Sequence, residues 1–224
     1  MRLYLGNKNY SSWSLRAGLL LAQAGIPCET VVLSFSDTGE PESKFRREIF
    51  KVTPAGRVPT LVDGEVVVWD SLAIAEYVAE RFPEKRLWPE DRAARARARS
   101  LCAEMHSGFM GVRNDFPMNI EFVAPEIGPR VLAEKPQTRA DLMRLDALIS
   151  GELARSGGPM LFGTFGIADA YFAPVASRIR SYGLPVSEAT QAWVERIHQL
   201  PAMQAWVRDA LVEHDWVVFD EPYR

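Results

Sequence analysis

The sequence predicts an α/β unit with a βαβββα order of elements, followed by an all-helical unit. Strand, helix and strand patterns open the chain, and an Asp-Gly hairpin signal leads into a capped helix. Beyond residue 91 the apolar residues recur at helical spacing, with no strand pattern among them. The expected domains are residues 1–82 and 92–224, joined by a linker at 83–91, where PEKRLWPED combines two prolines with charges.

Arg2 to Gly6 alternates in the strand manner, and Arg16 to Ala24 is built mostly of good helix formers that Gly25 stops. Glu29 to Phe35, rich in Val and Leu, reads as a second strand; arriving after a helix, it should run parallel to the first. A polar loop follows, with a short helical candidate from Ser43 to Lys51. Val58 to Val62 and Glu65 to Trp69 flank Asp63-Gly64, a dipeptide that favours a two-residue hairpin because both residues tolerate positive φ. Asp70-Ser71 then caps a run, Leu72, Ile74, Ala75, Val78 and Ala79, whose apolar spacing is helical.

In the second unit, Leu101, Met105, Phe109, Val112 and Phe116 form one stripe of a single long helix that Pro117 ends. Further helices are expected at Arg139 to Leu153, Ile167 to Tyr182, Ser187 to Gln199 and Pro201 to Val212.

Composition narrows the function. Apolar residues make up 47% and charged residues 25% of the 224, enough for a sizeable core, which excludes wholesale disorder. The net charge is -3 and no basic run forms a stripe, so nucleic acid is not an expected partner. The longest strongly apolar stretch, Ala17 to Ala22, is far short of the roughly 18 residues a membrane span needs, and MRLYLGN lacks the pattern of a secretory signal. Two cysteines, Cys28 and Cys102, and three scattered histidines make neither a disulfide framework nor a metal site; a cytoplasmic location fits best.

Three features of the first unit are candidates for chemistry, and each has a structural reading beside it. Ser11, Ser12 and Ser14 lie in NYSSWSLR between the first strand and helix, where hydroxyls commonly cap free backbone donors. Val58-Pro59 stands where a strand begins, a place that tolerates proline's missing donor and can also hold a cis bond. Asp70-Ser71 caps a helix and equally places a carboxylate and free N–H groups at a helix N-terminus, a natural anion site.

Taken in order and spacing, these features resemble the thioredoxin-like domain of cytosolic glutathione S-transferases, and the helical second unit extends the resemblance over essentially the whole chain. SSWS followed by Leu15-Arg16 looks most like the serine-type, zeta-like branch with its SSC-type motif, and FGIADAYFAPV at Phe165 to Val175 resembles the family's buried capping motif. Gly166 stands where that motif usually has Ser or Thr, with Asp169 three residues on. Trp13 replaces the zeta-like Cys, and Arg57 replaces the Gln before V-P, departures that point away from maleylacetoacetate isomerase activity.

The resemblance implies a transferase, with detoxification as its setting, in which bound glutathione attacks a small hydrophobic electrophile. Ser11, with Ser12 as alternate, would stabilise the thiolate. Arg57, Val58, Pro59, Asp70 and Ser71 would bind the tripeptide, the two last taking its γ-glutamyl ammonium and carboxylate. Tyr10, Met105, Phe109, Met110 and Arg113 would line the electrophile pocket, while His106 reads as structural or interfacial. The resemblance also implies a homodimer and no metal. A glutathione-dependent isomerase or peroxidase, or a non-turnover member that binds glutathione or partner proteins, are the other readings it leaves open.

Overall fold

The computed structural model describes residues 1–38, 40 and 42–224. Its N-terminal part contains β1 (Arg2–Gly6), α1 (Ser12–Gln23), β2 (Glu29–Leu33), α2 (Lys44–Ile49), β3 (Thr60–Asp63), β4 (Val66–Trp69) and α3 (Ser71–Arg81). The four strands form one sheet in the order β2-β1-β3-β4, with β1 and β2 parallel and the other pairs antiparallel. This is a thioredoxin-like arrangement. The polar loop before α2 includes Gly39 and Pro41, which lie outside the described residues.

After a short turn at Pro83–Lys85 the chain is helical: α4 (Arg92–Ser107), α5 (Met110–Asp115), α6 (Ile127–Glu134), α7 (Pro136–Ser156), α8 (Ile167–Tyr182), α9 (Glu188–Gln199) and α10 (Pro201–Leu211). Among the described residues no helix is long and apolar enough to cross a membrane.

Helix α1 joins the two parts. It packs on α3 on one side and on α8 and α10 on the other, so Ser14 through Leu21 are all buried. Gly18 makes the close approach possible: a Cβ there would stand 2.3 Å from the Trp206 ring of α10. Each buried leucine of this helix contributes about 1.5–3 kcal/mol.

Two expectations need correction. Helix α1 starts at Ser12 rather than Arg16, because the Ser11 side chain accepts the Ser14 N–H and lets the serines themselves form the first turn. The expected long helix is two helices. Gly108 is extended and Phe109 takes φ 61°, which breaks the axis between α4 and α5 while keeping Phe109 in the core. Helix α6 was not foreseen. Its IGPRVLAE pattern carries a glycine and a proline near its start, and Gly128 is needed because a Cβ would meet the Tyr182 carbonyl at 2.2 Å.

Beyond α10, residues 213–224 run back over the turn between β1 and α1. The Glu213 carboxylate accepts the N–H groups of Lys8 and Asn9 at 2.8 and 3.1 Å, and Asp215 accepts from the Asn7 side chain at 2.9 Å.

Candidate active site

Two clefts meet at the N-terminus of α1. The first, about 530 Å³, is lined by Ala55, Arg57, Val58, Pro59, Trp69, Asp70 and Ser71, together with Trp13 and His106. The second, about 420 Å³, holds Tyr10, Ser11, Ser12, Met110 and Arg113, with Arg178 and Asp220 deeper in the chain. Trp13 and Val58 line both.

The first cleft is shaped by two backbone features. The Val58-Pro59 peptide is cis, and Asp70 has φ 75°, a left-handed conformation that costs a non-glycine residue on the order of 1–3 kcal/mol. Asp70 caps α3 from there, its Oδ1 accepting the N–H groups of Leu72 and Ala73 at 2.8 and 3.3 Å. Its Oδ2 lies 3.5 Å from His106 Nε2. The other ring nitrogen, Nδ1, is 2.7 Å from the Tyr171 hydroxyl, which is 3.1 Å from Ser71 Oγ. His106, expected as structural or interfacial, therefore joins a line of four polar groups running Asp70, His106, Tyr171 and Ser71, and lines the cleft. Histidine and Asp70 are 36 residues apart, so no local pattern could pair them. Arg57 is exposed, and its carbonyl accepts from Thr60 Oγ1 at 2.8 Å.

In the second cleft, Ser11 Oγ donates to Ser14 Oγ at 2.8 Å and accepts the Ser14 N–H at 3.3 Å. Among the described residues the Ser12 hydroxyl has no hydrogen-bond partner, and the Ser12 and Trp13 N–H groups have no acceptor. The turn thus offers unused donors at a helix N-terminus, where negative charge is favoured.

Positive charge gathers behind these donors. Arg16 is buried, its guanidinium 4.2 Å from the Trp13 ring centre and 4.1 Å from that of Tyr171, with Nε and one terminal nitrogen lacking any hydrogen bond. Burial lowers its pKa to about 10. Arg113 lies 4.6 Å from the same Trp13 ring and donates to the His106 carbonyl at 3.1 Å. Arg178 is buried, with Nε donating to the Phe116 carbonyl at 2.7 Å; burial, then the charges of Arg16 and Arg113, lower its pKa to about 9. Arg16 and Arg178 therefore remain charged in neutral buffer.

The expected electrophile residues divide. Tyr10, Met110 and Arg113 line the second cleft, whereas Met105 and Phe109 are 1% and 7% exposed, lie in the core and line neither cleft. The inward turn of the helical stripe explains this: its apolar face packs within the helical part. A purely apolar pocket is also not what the structure holds, since Arg113, Arg178 and Asp220 share the space.

Residues 10–81 match the N-terminal domain of glutathione S-transferases, and residues 124–209 match their C-terminal domain. The chain belongs to the glutathione S-transferase family. It is 27% identical to glutathione S-transferase 1 of Dianthus caryophyllus, over 84% of this chain and 81% of that protein. It is 35% identical over 113 residues to a probable maleylacetoacetate isomerase of Caenorhabditis elegans, covering 50% of this chain and 49% of the other, in keeping with a zeta-like member. A glutathione transferase homologue from Burkholderia GL BGR1 with bound glutathione superposes with a TM-score of 0.68 at 26% identity, over 94% of this chain and 97% of the other.

Proposed function

We propose that this transferase binds glutathione in the 530 Å³ cleft and directs its sulfur to the serines of the adjoining one, where the second substrate sits. The observation that carries the reading is the shared wall: Trp13 and Val58 border both clefts, so a ligand in the first ends beside Ser11 and Ser12. The donor set suits the tripeptide. Asp70 presents a carboxylate for the γ-glutamyl ammonium, the N-terminus of α3 with Ser71 takes its carboxylate, and the Val58 backbone pairs with the cysteinyl segment in the manner of an added strand. Arg57 attracts the glycyl carboxylate. Residues 1–82 act as the glutathione domain, 83–91 as the linker and 92–224 as the domain completing the second pocket.

Bound glutathione loses its thiol proton to solvent, and the thiolate forms a C–S bond to an electrophilic carbon, either expelling a leaving group such as halide with its bonding electrons or adding to a double bond whose far end takes a proton from solvent. A free thiol titrates near 8.5, and lowering it by about two units takes roughly 2.7 kcal/mol. A serine hydroxyl contributes about 1.5–3 kcal/mol as a charge-assisted donor. The start of α1 adds about 0.3–1 kcal/mol, and both are present at one turn. Ser11→Ala should therefore slow conjugation far more at about pH 6.5 than at about pH 9, where the thiol ionises unaided. Equal loss at both would reject thiolate stabilisation by Ser11, and the same comparison on Ser12→Ala decides between the two hydroxyls. Calorimetric titration of glutathione into Asp70→Ala and Ser71→Ala checks the first cleft; unchanged affinity in both removes that assignment.

A second reading is favoured by Arg113 and Arg178. Two guanidiniums beside the serines suit an electrophile that carries a carboxylate, as in a glutathione-dependent isomerisation, better than a neutral hydrophobic one. Turnover of a panel of aryl halides, hydroperoxides and unsaturated dicarboxylates separates conjugation, peroxide reduction and isomerisation. A homodimer is part of the proposal; Phe50, Val66 and Trp69 are exposed apolar residues of the first domain that a partner would cover. Sedimentation checks it, a clean 25.1 kDa species being the contrary result. Two unpaired cysteines, Cys28 half-buried and Cys102 buried, suit a detoxifying enzyme of the reducing cytoplasm.

A further inference from the structure

We propose that Ser14 is a positioning residue for the glutathione sulfur, acting through Ser11; this rests on the reading of Ser11 given above. Ser14 is fully buried and lines neither cleft, so it touches no ligand itself. Its hydroxyl nevertheless stands between two groups. Ser14 Oγ accepts the Gly6 N–H at 2.9 Å and lies 2.8 Å from Ser11 Oγ.

A helix cap alone does not call for this arrangement. Capping uses the Ser11 oxygen and the Ser14 N–H, and alanine at position 14 would supply that N–H equally well. The additional hydroxyl instead sets up a line, from the Gly6 N–H through Ser14 to Ser11, that ends at the second cleft.

At rest the Ser11 proton points back to Ser14. With a thiolate in the cleft, both hydroxyls can reverse: Ser11 donates to sulfur, Ser14 donates to Ser11 Oγ, and the Gly6 N–H goes on donating to Ser14 Oγ. No oxygen loses a partner and no charge is left behind. Each donor in such a line polarises the next, so Ser11 becomes a stronger donor than an isolated serine. The Ser14 side chain also fixes where Ser11 Oγ sits.

The test measures the thiolate absorbance of glutathione bound to wild type, Ser11→Ala, Ser14→Ala and Ser14→Thr as a function of pH, together with the affinity of each for S-methylglutathione, whose sulfur cannot ionise. Ser14→Ala should lower the bound thiolate about two- to fivefold at about pH 6.5 and leave it unchanged at about pH 9.5, corresponding to roughly half to one pKa unit. Its S-methylglutathione affinity should stay within about twofold of wild type, and Ser14→Thr should restore the ionisation. If Ser14→Ala does not fold, Ser14→Gly, which also lacks the hydroxyl, should show the same loss. An unchanged thiolate titration in Ser14→Ala, beside a shifted one in Ser11→Ala, overturns the role of Ser14 alone. No shift in Ser11→Ala overturns the reading beneath it. An equal fall in S-methylglutathione affinity would make Ser14 merely structural and also overturn the proposal.

Discussion

The Tyr10 hydroxyl donates to the Glu221 carboxylate at 2.7 Å, joining the residue before Ser11 to the last few residues of the chain. Glu221 is 7% exposed, and its other close partner is Arg224 at 3.6 Å. Burial first, and then Glu221, raise the pKa of Tyr10, so the phenol keeps its proton across the working pH range.

Tyr10→Phe leaves that buried carboxylate short of a donor, which costs about 1–3 kcal/mol. For a chain of this size the melting temperature should fall by roughly 3–10 °C. Thermal denaturation followed by circular dichroism gives the answer; a variant that melts with wild type would show that the Tyr10–Glu221 bond does not stabilise the fold.

Much of this arrangement was legible in the sequence where the signal is local. Asp63-Gly64 turns the β3–β4 hairpin, and Asp70 caps α3 as Asp-Ser before an apolar run suggests, because caps and turns depend on residues two or three apart. Helix α8 runs over Ile167–Tyr182 as its pattern implies. What was not legible depends on groups distant along the chain. The break at Phe109 preserves the apolar spacing of the stripe, so periodicity alone merges α4 with α5. Arg178, Asp220 and His106 reach the clefts only through tertiary packing, and Glu213 and Glu221 read as ordinary surface acids until the chain folds back on Lys8 to Tyr10.

Arg178 offers a direct check on the charge of the second substrate. Arg178→Met removes a cation that can hold a carboxylate by a charge-assisted bond of about 1.5–3 kcal/mol. The KM for an unsaturated dicarboxylate should rise about tenfold or more, while the KM for glutathione stays level. Steady-state kinetics with both substrates varied will show it, and an unaltered KM for the dicarboxylate would remove Arg178 from the pocket's function.

Asp220 faces the same pocket, and burial raises its pKa to about 6 against the lowering influence of Arg178. Glu221 follows it in the chain, and Arg113 and Arg178 are the cations of that cleft. As pH rises through about 6, Asp220 becomes an anion and competes with a substrate carboxylate for those cations. Affinity for an aryl carboxylate, measured by fluorescence, should therefore weaken a few-fold between about pH 5 and 7.5, and Asp220→Asn should flatten that dependence. A profile identical in the variant would mean that Asp220 is not the titrating group.

Asp169 carries a stability prediction whose sign follows from its surroundings. Its Oδ1 accepts the Leu161 N–H and the Trp193 indole, both at 3.0 Å, and its Oδ2 accepts the Gly166 N–H at 3.1 Å. Burial outweighs these donors and raises the pKa to about 6. Unfolded, the carboxyl titrates near 3.9, so between about pH 4 and 6 the folded chain holds a proton that the unfolded chain has released. The contribution of Asp169 to stability is thus largest below about pH 4, declines as pH rises through that window and is level above about pH 6. Asp169→Asn can keep both bonds to Oδ1 and replaces the acceptor for Gly166 with an amide donor, a loss of about 1–3 kcal/mol where the wild-type group is neutral. Because asparagine bears no buried charge, its deficit should shrink as the medium moves from about pH 4 to 7.5. Urea denaturation of both proteins at the two pH values measures the difference, and a deficit that widened toward pH 7.5 would mean that the three donors, rather than burial, dominate the environment of Asp169.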